Sequence, residues 1–169
     1  GEKSQTSGAW SYGHGRLLRD TGRVEFKSLA HYTGKVWQGG PELPGSKTGW
    51  VHWHSGGGHP GNGDHAAILR WVAPRSTTIE ITGELSRPGL KGDAVRGLVV
   101  AGRSIAGQWT VLPGNKAQTP LNLEVTAGEA IDFLVESTGS EAWDSFLWSP
   151  VIHERGEPVP LAEAREGFS

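Results

Sequence analysis

Four histidines, His52, His54, His59 and His65, fall within fourteen positions of one another. His52 and His54 are two residues apart, so on a strand their imidazoles share one face. Imidazole ligates transition metals and also hydrogen-bonds, so the cluster offers either a metal site or polar contacts to a ligand. The spacing suits metal ligation, and a carboxylate close by would help complete such a site. Here Gly, Pro and Asn follow, and the first carboxylate is Asp64. The cluster therefore reads as polar histidines facing solvent or a sugar.

Tryptophan is the other abundant chemistry. The chain has eight: Trp10, Trp37, Trp50, Trp53, Trp71, Trp109, Trp143 and Trp148. Indole is large and its N–H seeks a partner, so a domain this size does not readily bury all of them. Sugar rings present flat C–H faces that stack on indole, and polar groups beside the ring then read the hydroxyls. Trp71 sits in an apolar run and reads as core. Trp37 beside Gln38, and Trp143 beside Asp144, sit in turn-rich segments and read as candidates for exposure.

The segment Ser55–Asp64 is glycine-rich and lets backbone approach a ligand closely. It lacks the Lys-Ser/Thr of a phosphate loop and precedes a strand, so phosphate binding is excluded. Asp93 after Gly92, and Asp144 after Trp143, are candidate oxygen ligands for a structural Ca²⁺, although no diagnostic spacing is present. Catalysis finds no support. There is no G-x-S-x-G elbow, and no carboxylate pair is singled out for glycoside hydrolysis.

The elements that must position these residues are strands. Alternating or β-branched runs recur at 23–27, 50–54, 66–73, 77–85, 95–101, 108–112, 121–125, 130–135 and 145–148, with Gly/Pro/Asn turns between them. This predicts about nine strands in an all-β, two-sheet antiparallel β-sandwich of jelly-roll type. The 169 residues suit one domain. Residues 1–9 read as a linker, 10–153 as the sandwich, and 154–169 as a polar tail or linker. The net charge of −2 excludes the basic field of a nucleic-acid binder. Cysteine is absent, which excludes disulfides and Cys-ligated metals. No apolar run is long enough to insert in a bilayer.

Several strings read in order carry a resemblance. They include Trp10-Ser11-Tyr12-Gly13-His14-Gly15, Trp37-Gln38-Gly39-Gly40, Gly57-Gly58-His59-Pro60-Gly61, Leu69-Arg70-Trp71-Val72-Ala73-Pro74 and Phe146-Leu147-Trp148-Ser149-Pro150. Over roughly 10–152 the chain resembles a β-sandwich domain of large planctomycete multidomain proteins that also carry a c-type cytochrome domain. The pattern departs at Leu69, where an Arg is expected, and at Ala94, where a Gly is expected. No C-x-x-C-H is present, so this segment itself attaches no c-type haem.

The resemblance implies an exported bacterial protein, periplasmic, cell-surface or secreted, whose sandwich looks like a carbohydrate-binding module packed among neighbouring domains. The leading expectation is thus a non-catalytic module that targets a larger protein to polysaccharide. The alternative is a structural or protein-docking sandwich, with a polysaccharide hydrolase or lyase third. The expected ligand-binding residues are Tyr12, His14, Arg16, Trp37, Gln38, His54, His59, Asn62, Asp64 and Trp143, on loops gathered at one rim.

Overall fold

The computed structural model describes residues 10–165 and Phe168; the expected 1–9 linker lies outside the described residues. The strands in chain order are β1 (Trp10–Leu18), β2 (Arg23–Ser28), β3 (His31–Tyr32), β4 (Val36–Gln38), β5 (His52–His54) and β6 (Gly57–His59). Next come β7 (Ala66–Val72), β8 (Thr77–Thr82), β9 (Glu84–Ser86), β10 (Val95–Ala101), β11 (Ser104–Val111) and β12 (Lys116–Gln118). The last are β13 (Leu121–Val125), β14 (Ala130–Ser137), β15 (Phe146–Leu147), β16 (Val151–Glu154) and β17 (Ala162–Glu163). The expected antiparallel sandwich is what forms.

One layer is a six-stranded sheet in the order β11-β10-β14-β7-β1-β2. Its central strands are buried on both faces, which explains the continuous apolar run in β7. Ala67, Leu69 and Trp71 enter the main core with Ile131, Phe133 and Val135 of β14. Ala66 and Ile68 face the other way and join Leu17, Leu98, Val100 and Leu134 in a second apolar cluster. Ion pairs roof that outer cluster. Arg70 holds Asp132 with two hydrogen bonds, 2.7 and 2.9 Å, and its guanidinium lies 4.5 Å from the Phe26 ring centroid. Glu136 accepts from both Arg19 and Arg96.

The facing layer has two parts. A seven-stranded sheet runs β12-β9-β15-β6-β5-β4-β3, and a four-stranded sheet runs β13-β8-β16-β17. The shared order shows that β12, β9 and β15 continue into β13, β8 and β16 across a bend. Breaks at Gly83, at Thr119-Pro120 and at Trp148–Pro150 allow it. The bend is pinned where Thr119 N–H donates to Gly83 O at 3.0 Å and Trp148 Nε1–H donates to Thr119 Oγ1 at 3.1 Å.

Alternation in the seven-stranded sheet decides what each residue can do. Trp37 pairs with Trp53, and Trp53 with Gly58, all on the inner side. Gln38 pairs with His52, and His52 with His59, on the outer side. Within the expected glycine loop at 55–64, Gly57–His59 is therefore strand. A side chain at Gly58 would meet His52 O at 2.3 Å, and one at Gly57 would meet Phe146 O at 2.1 Å. Only glycine lets β6 fit between β5 and β15.

The segment after 153 corrects the expected tail. β17 pairs with β16, Ala162 is buried, and Ala164 N–H donates to Pro150 O at 3.0 Å. Tyr12 hydroxyl donates to Ala164 O at 3.0 Å and its ring meets Phe168 edge-on. Backbone pairing and burial outweigh the polar composition of this stretch. The described part of it belongs to the sandwich.

Candidate functional site

The outer face of β5 and β6 opens on a cleft of about 440 Å³, lined by Trp50, His52, His59, Ala142, Trp143 and Ser145. Two indoles wall it. Trp50 is 43% exposed and Trp143 is 63% exposed, whereas Trp37, Trp53, Trp71 and Trp148 are all 2% exposed or less.

Each wall has its own support. Trp50 follows a closed turn in which Gly45 and Gly49 exchange hydrogen bonds of 2.8 and 3.0 Å. Trp143 stands at φ 68°, a left-handed conformation that costs an indole-bearing residue on the order of 1–3 kcal/mol. The surrounding loop enforces it. Asp144 N–H donates to Glu141 O at 3.2 Å, Ala142 N–H to Ser140 Oγ at 3.2 Å, and Ser140 N–H to Asp93 Oδ2 at 2.9 Å. Gly92 gives the loop room: a Cβ there would meet Ala142 O at 2.7 Å. Lys91 Nζ sits 5.1 Å from the Trp143 ring centroid.

Beneath the Trp143 loop lies a buried ion pair. Arg87 and Asp144 are both fully buried, with Arg87 Nη2 3.4 Å from Asp144 Oδ1. The same guanidinium donates to Gly89 O and Lys91 O. It thus ties the 89–91 turn to the residue after Trp143. Burial pushes the Asp144 carboxyl above the usual range, against the pull of a Ser137 hydrogen bond and of Arg87.

The floor is imidazole. His52 and His59 stack with ring centroids 5.9 Å apart, and His54 lies 6.0 Å from His52. His52 Nδ1 is 2.7 Å from Trp50 O, and His59 Nδ1 is 2.5 Å from Pro60 O. A carbonyl can only accept, so in each neutral ring Nδ1 carries the proton and Nε2 is left as the acceptor. Burial lowers the pKa of His52 to about 4, with His59 and His54 adding to the effect and the bond to Trp50 O opposing it.

The expected residues divide between this cleft and other places. His59 and Trp143 line it, and His54 stands beside it. His14, Arg16 and Asp64 line a separate notch of about 270 Å³ with Gly15, Glu25, Lys27 and His65. There Arg16 pairs with Glu25 at 2.7 Å and Asp64 at 3.2 Å, and His14 Nδ1 lies 3.1 Å from His65 Nδ1. Burial and His65 lower the pKa of His14 to about 4. Exposed Asn62 lies in the turn leading to His65, whose N–H it accepts at 2.9 Å. The two hollows share no lining residue, and the expected ligand residues are divided between them and the core.

Three expected ligand contacts are corrected outright. Tyr12 lies in β1 and Trp37 in β4, both are 2% exposed, and their rings stack at 5.9 Å in the core. Gln38 is buried, and its Nε2–H donates to Gly40 O at 2.8 Å. Trp50 was not expected, because it reads in sequence as the first residue of a strand. Its place directly after Gly49 is the signal that it precedes the strand. Of the two calcium candidates, Asp93 is exposed and accepts from Ser140, while Asp144 faces Arg87. Among the described residues, no group of three or more His, Asp or Glu is placed to hold a metal ion.

The two depressed histidines make stability depend on pH. Between about pH 6.5 and 4 the unfolded chain takes up protons at His14 and His52 that the folded chain does not. Stability therefore rises with pH across this window and falls as acid is added. The two shifts together lower stability on acidification by on the order of a few kcal/mol, reduced by solvent screening at the imidazoles. Asp144 works the other way, since its raised pKa favours the folded state as pH falls. Urea unfolding at pH 7, 5.5 and 4.5 should show a decreasing midpoint, and His52→Gln should flatten the curve.

No family model matches the chain, and no curated protein matches it. Among solved structures it is similar to a family 35 carbohydrate binding module from an environmental isolate. The identity is 18%, over 62% of this chain and 82% of that one, at a TM-score of 0.38. It is also similar to the EclA C-terminal domain, a sugar-binding protein, at 16% identity over 69% of this chain and 89% of that one, with a TM-score of 0.46. Neither likeness is near enough to say what this chain binds.

Proposed function

We propose that the domain binds saccharide in the Trp50–Trp143 cleft and performs no chemistry on it. The observation that carries this reading is the exposure of two indoles on a concave site whose floor is hydrogen-bonding imidazole. Indole faces stack on sugar C–H faces, and fixed acceptors beside them orient hydroxyls. A strained Trp143 backbone has the same sense. A left-handed backbone that holds a largely exposed ring over a cleft is the kind of strain found at ligand-binding sites.

The cleft lacks the groups for hydrolysis. Its lining includes no carboxylate, and the neighbouring Asp144 is buried against Arg87. A glycosidase needs two carboxyl groups flanking the bond. In this reading the domain anchors a larger exported protein to polysaccharide, as the planctomycete resemblance implies.

Trp143→Ala tests the assignment. Loss of one stacking ring should weaken saccharide binding by roughly 1–3 kcal/mol, by analogy with bases stacked on aromatic side chains. Stability should change by less than about 1 kcal/mol, because the ring is exposed. Isothermal titration and urea unfolding of the same samples measure both. Unchanged affinity for the bound saccharide would move the site elsewhere.

A further inference from the structure

The two hollows differ in charge, and the difference bears on ligand class. The notch at His14 is lined by Arg16, Lys27, Glu25 and Asp64. The Trp50–Trp143 cleft is lined by no Arg, Lys, Asp or Glu. Of the charges nearest the cleft, Glu141 beside Ala142 is itself a carboxylate, with Oε2 buried and without a hydrogen-bond partner. Arg87 and Asp144 face each other with no exposure to solvent, and the Lys91 ammonium lies over the Trp143 ring.

The floor offers acceptors where an anion needs donors. Nδ1–H of His52 is committed to Trp50 O and that of His59 to Pro60 O, which leaves each neutral ring an acceptor at Nε2. Carboxylates and sulfates are recognised by guanidinium, ammonium or convergent N–H groups. A sugar hydroxyl instead donates, and a neutral imidazole nitrogen meets that need. His52 stays neutral down to about pH 4.

We infer that the cleft selects uncharged glycan and discriminates against uronate and sulfated polymers, because stacking rings and acceptor nitrogens line it and no Arg or Lys is among its lining residues. This rests on the saccharide reading above.

Affinity electrophoresis of the 169-residue chain tests it. Gels would carry neutral polysaccharides (a glucan, a mannan, a xylan and a galactan) or acidic ones (polygalacturonate, alginate and a sulfated galactan). Each would be run at low salt and at 0.5 M NaCl. The expected result is retardation by at least one neutral polymer, changed less than twofold by salt and lost in Trp143→Ala. Acidic polymers should retard the chain at least tenfold less. Retardation by acidic polymers alone, abolished by salt, would overturn the selectivity while leaving saccharide binding standing. Retardation by none of the gels would overturn both. Neutral-glycan retardation that survives Trp143→Ala would also count against the cleft.

Discussion

Trp37→Ala should cost the fold about 3–5 kcal/mol, the usual penalty for deleting a large buried ring. Trp37 is 2% exposed, stacks on Tyr12 at 5.9 Å with planes 9° apart, and meets Tyr32 at 4.7 Å. It also pairs across the ladder with Trp53, whose ring meets Phe146 edge-on at 5.2 Å. Removing it leaves a cavity beneath β4 and β5, which neighbouring rings only partly fill. The outward face of β5 keeps its register through the ladder, so molecules that remain folded should retain the cleft. Urea unfolding measures the first effect, and saccharide titration of the folded fraction measures the second. A stable variant that had lost binding would show that the ring contacts ligand.

Arg87→Ala should be comparably damaging for a different reason. Breaking a buried pair from one side leaves the other charge unpaired, which costs about 3–5 kcal/mol. Asp144 has no exposure to solvent, and its carboxyl is already pushed up by burial. Without Arg87 its folded-state pKa should rise further. The variant's deficit relative to wild type should therefore shrink as pH falls, because the folded state then takes up the proton first. Adding Asp144→Leu should recover much of the loss, since an apolar pair need not be desolvated as ions. Urea midpoints of the two variants and wild type at pH 7 and pH 5.5 give the comparison. A deficit that was constant with pH and unrelieved by Asp144→Leu would show that Arg87 acts through its carbonyl contacts to Gly89 and Lys91 alone.

The sandwich was legible in the sequence because local signals agree with the global fold. β7 reads as an apolar run and is buried on both faces. The H-x-H at 52–54 alternates about Trp53, and the structure places both imidazoles outward. Trp143 read as exposed because its neighbours are turn residues, and it is.

The failures have a common cause. Gly13 and Gly15 made β1 look like a loop, and Gly39-Gly40 made Trp37 look exposed. In this fold many glycines mark close backbone approach instead of solvent. Which one a glycine marks depends on a partner strand distant in sequence, such as β15 against β6. Trp50 was missed for the complementary reason. Its β-forming neighbours favour a strand, yet the turn closed by Gly45 and Gly49 places it ahead of β5. The Arg87–Asp144 pair spans 57 positions and leaves no local trace.

The most direct test is nuclear magnetic resonance titration of the 169-residue chain, ¹⁵N-labelled, with whichever neutral oligosaccharide retards it. The eight indole N–H signals report on eight known environments. Binding in the cleft should shift the signals of Trp50 and Trp143 together, with backbone amides of His52, His59, Ala142 and Ser145. Those of buried Trp37, Trp53, Trp71 and Trp148 should stay in place. Shifts confined to His14, Arg16, Asp64 and His65, with Trp50 and Trp143 unmoved, would contradict the account and place the ligand in the charged notch.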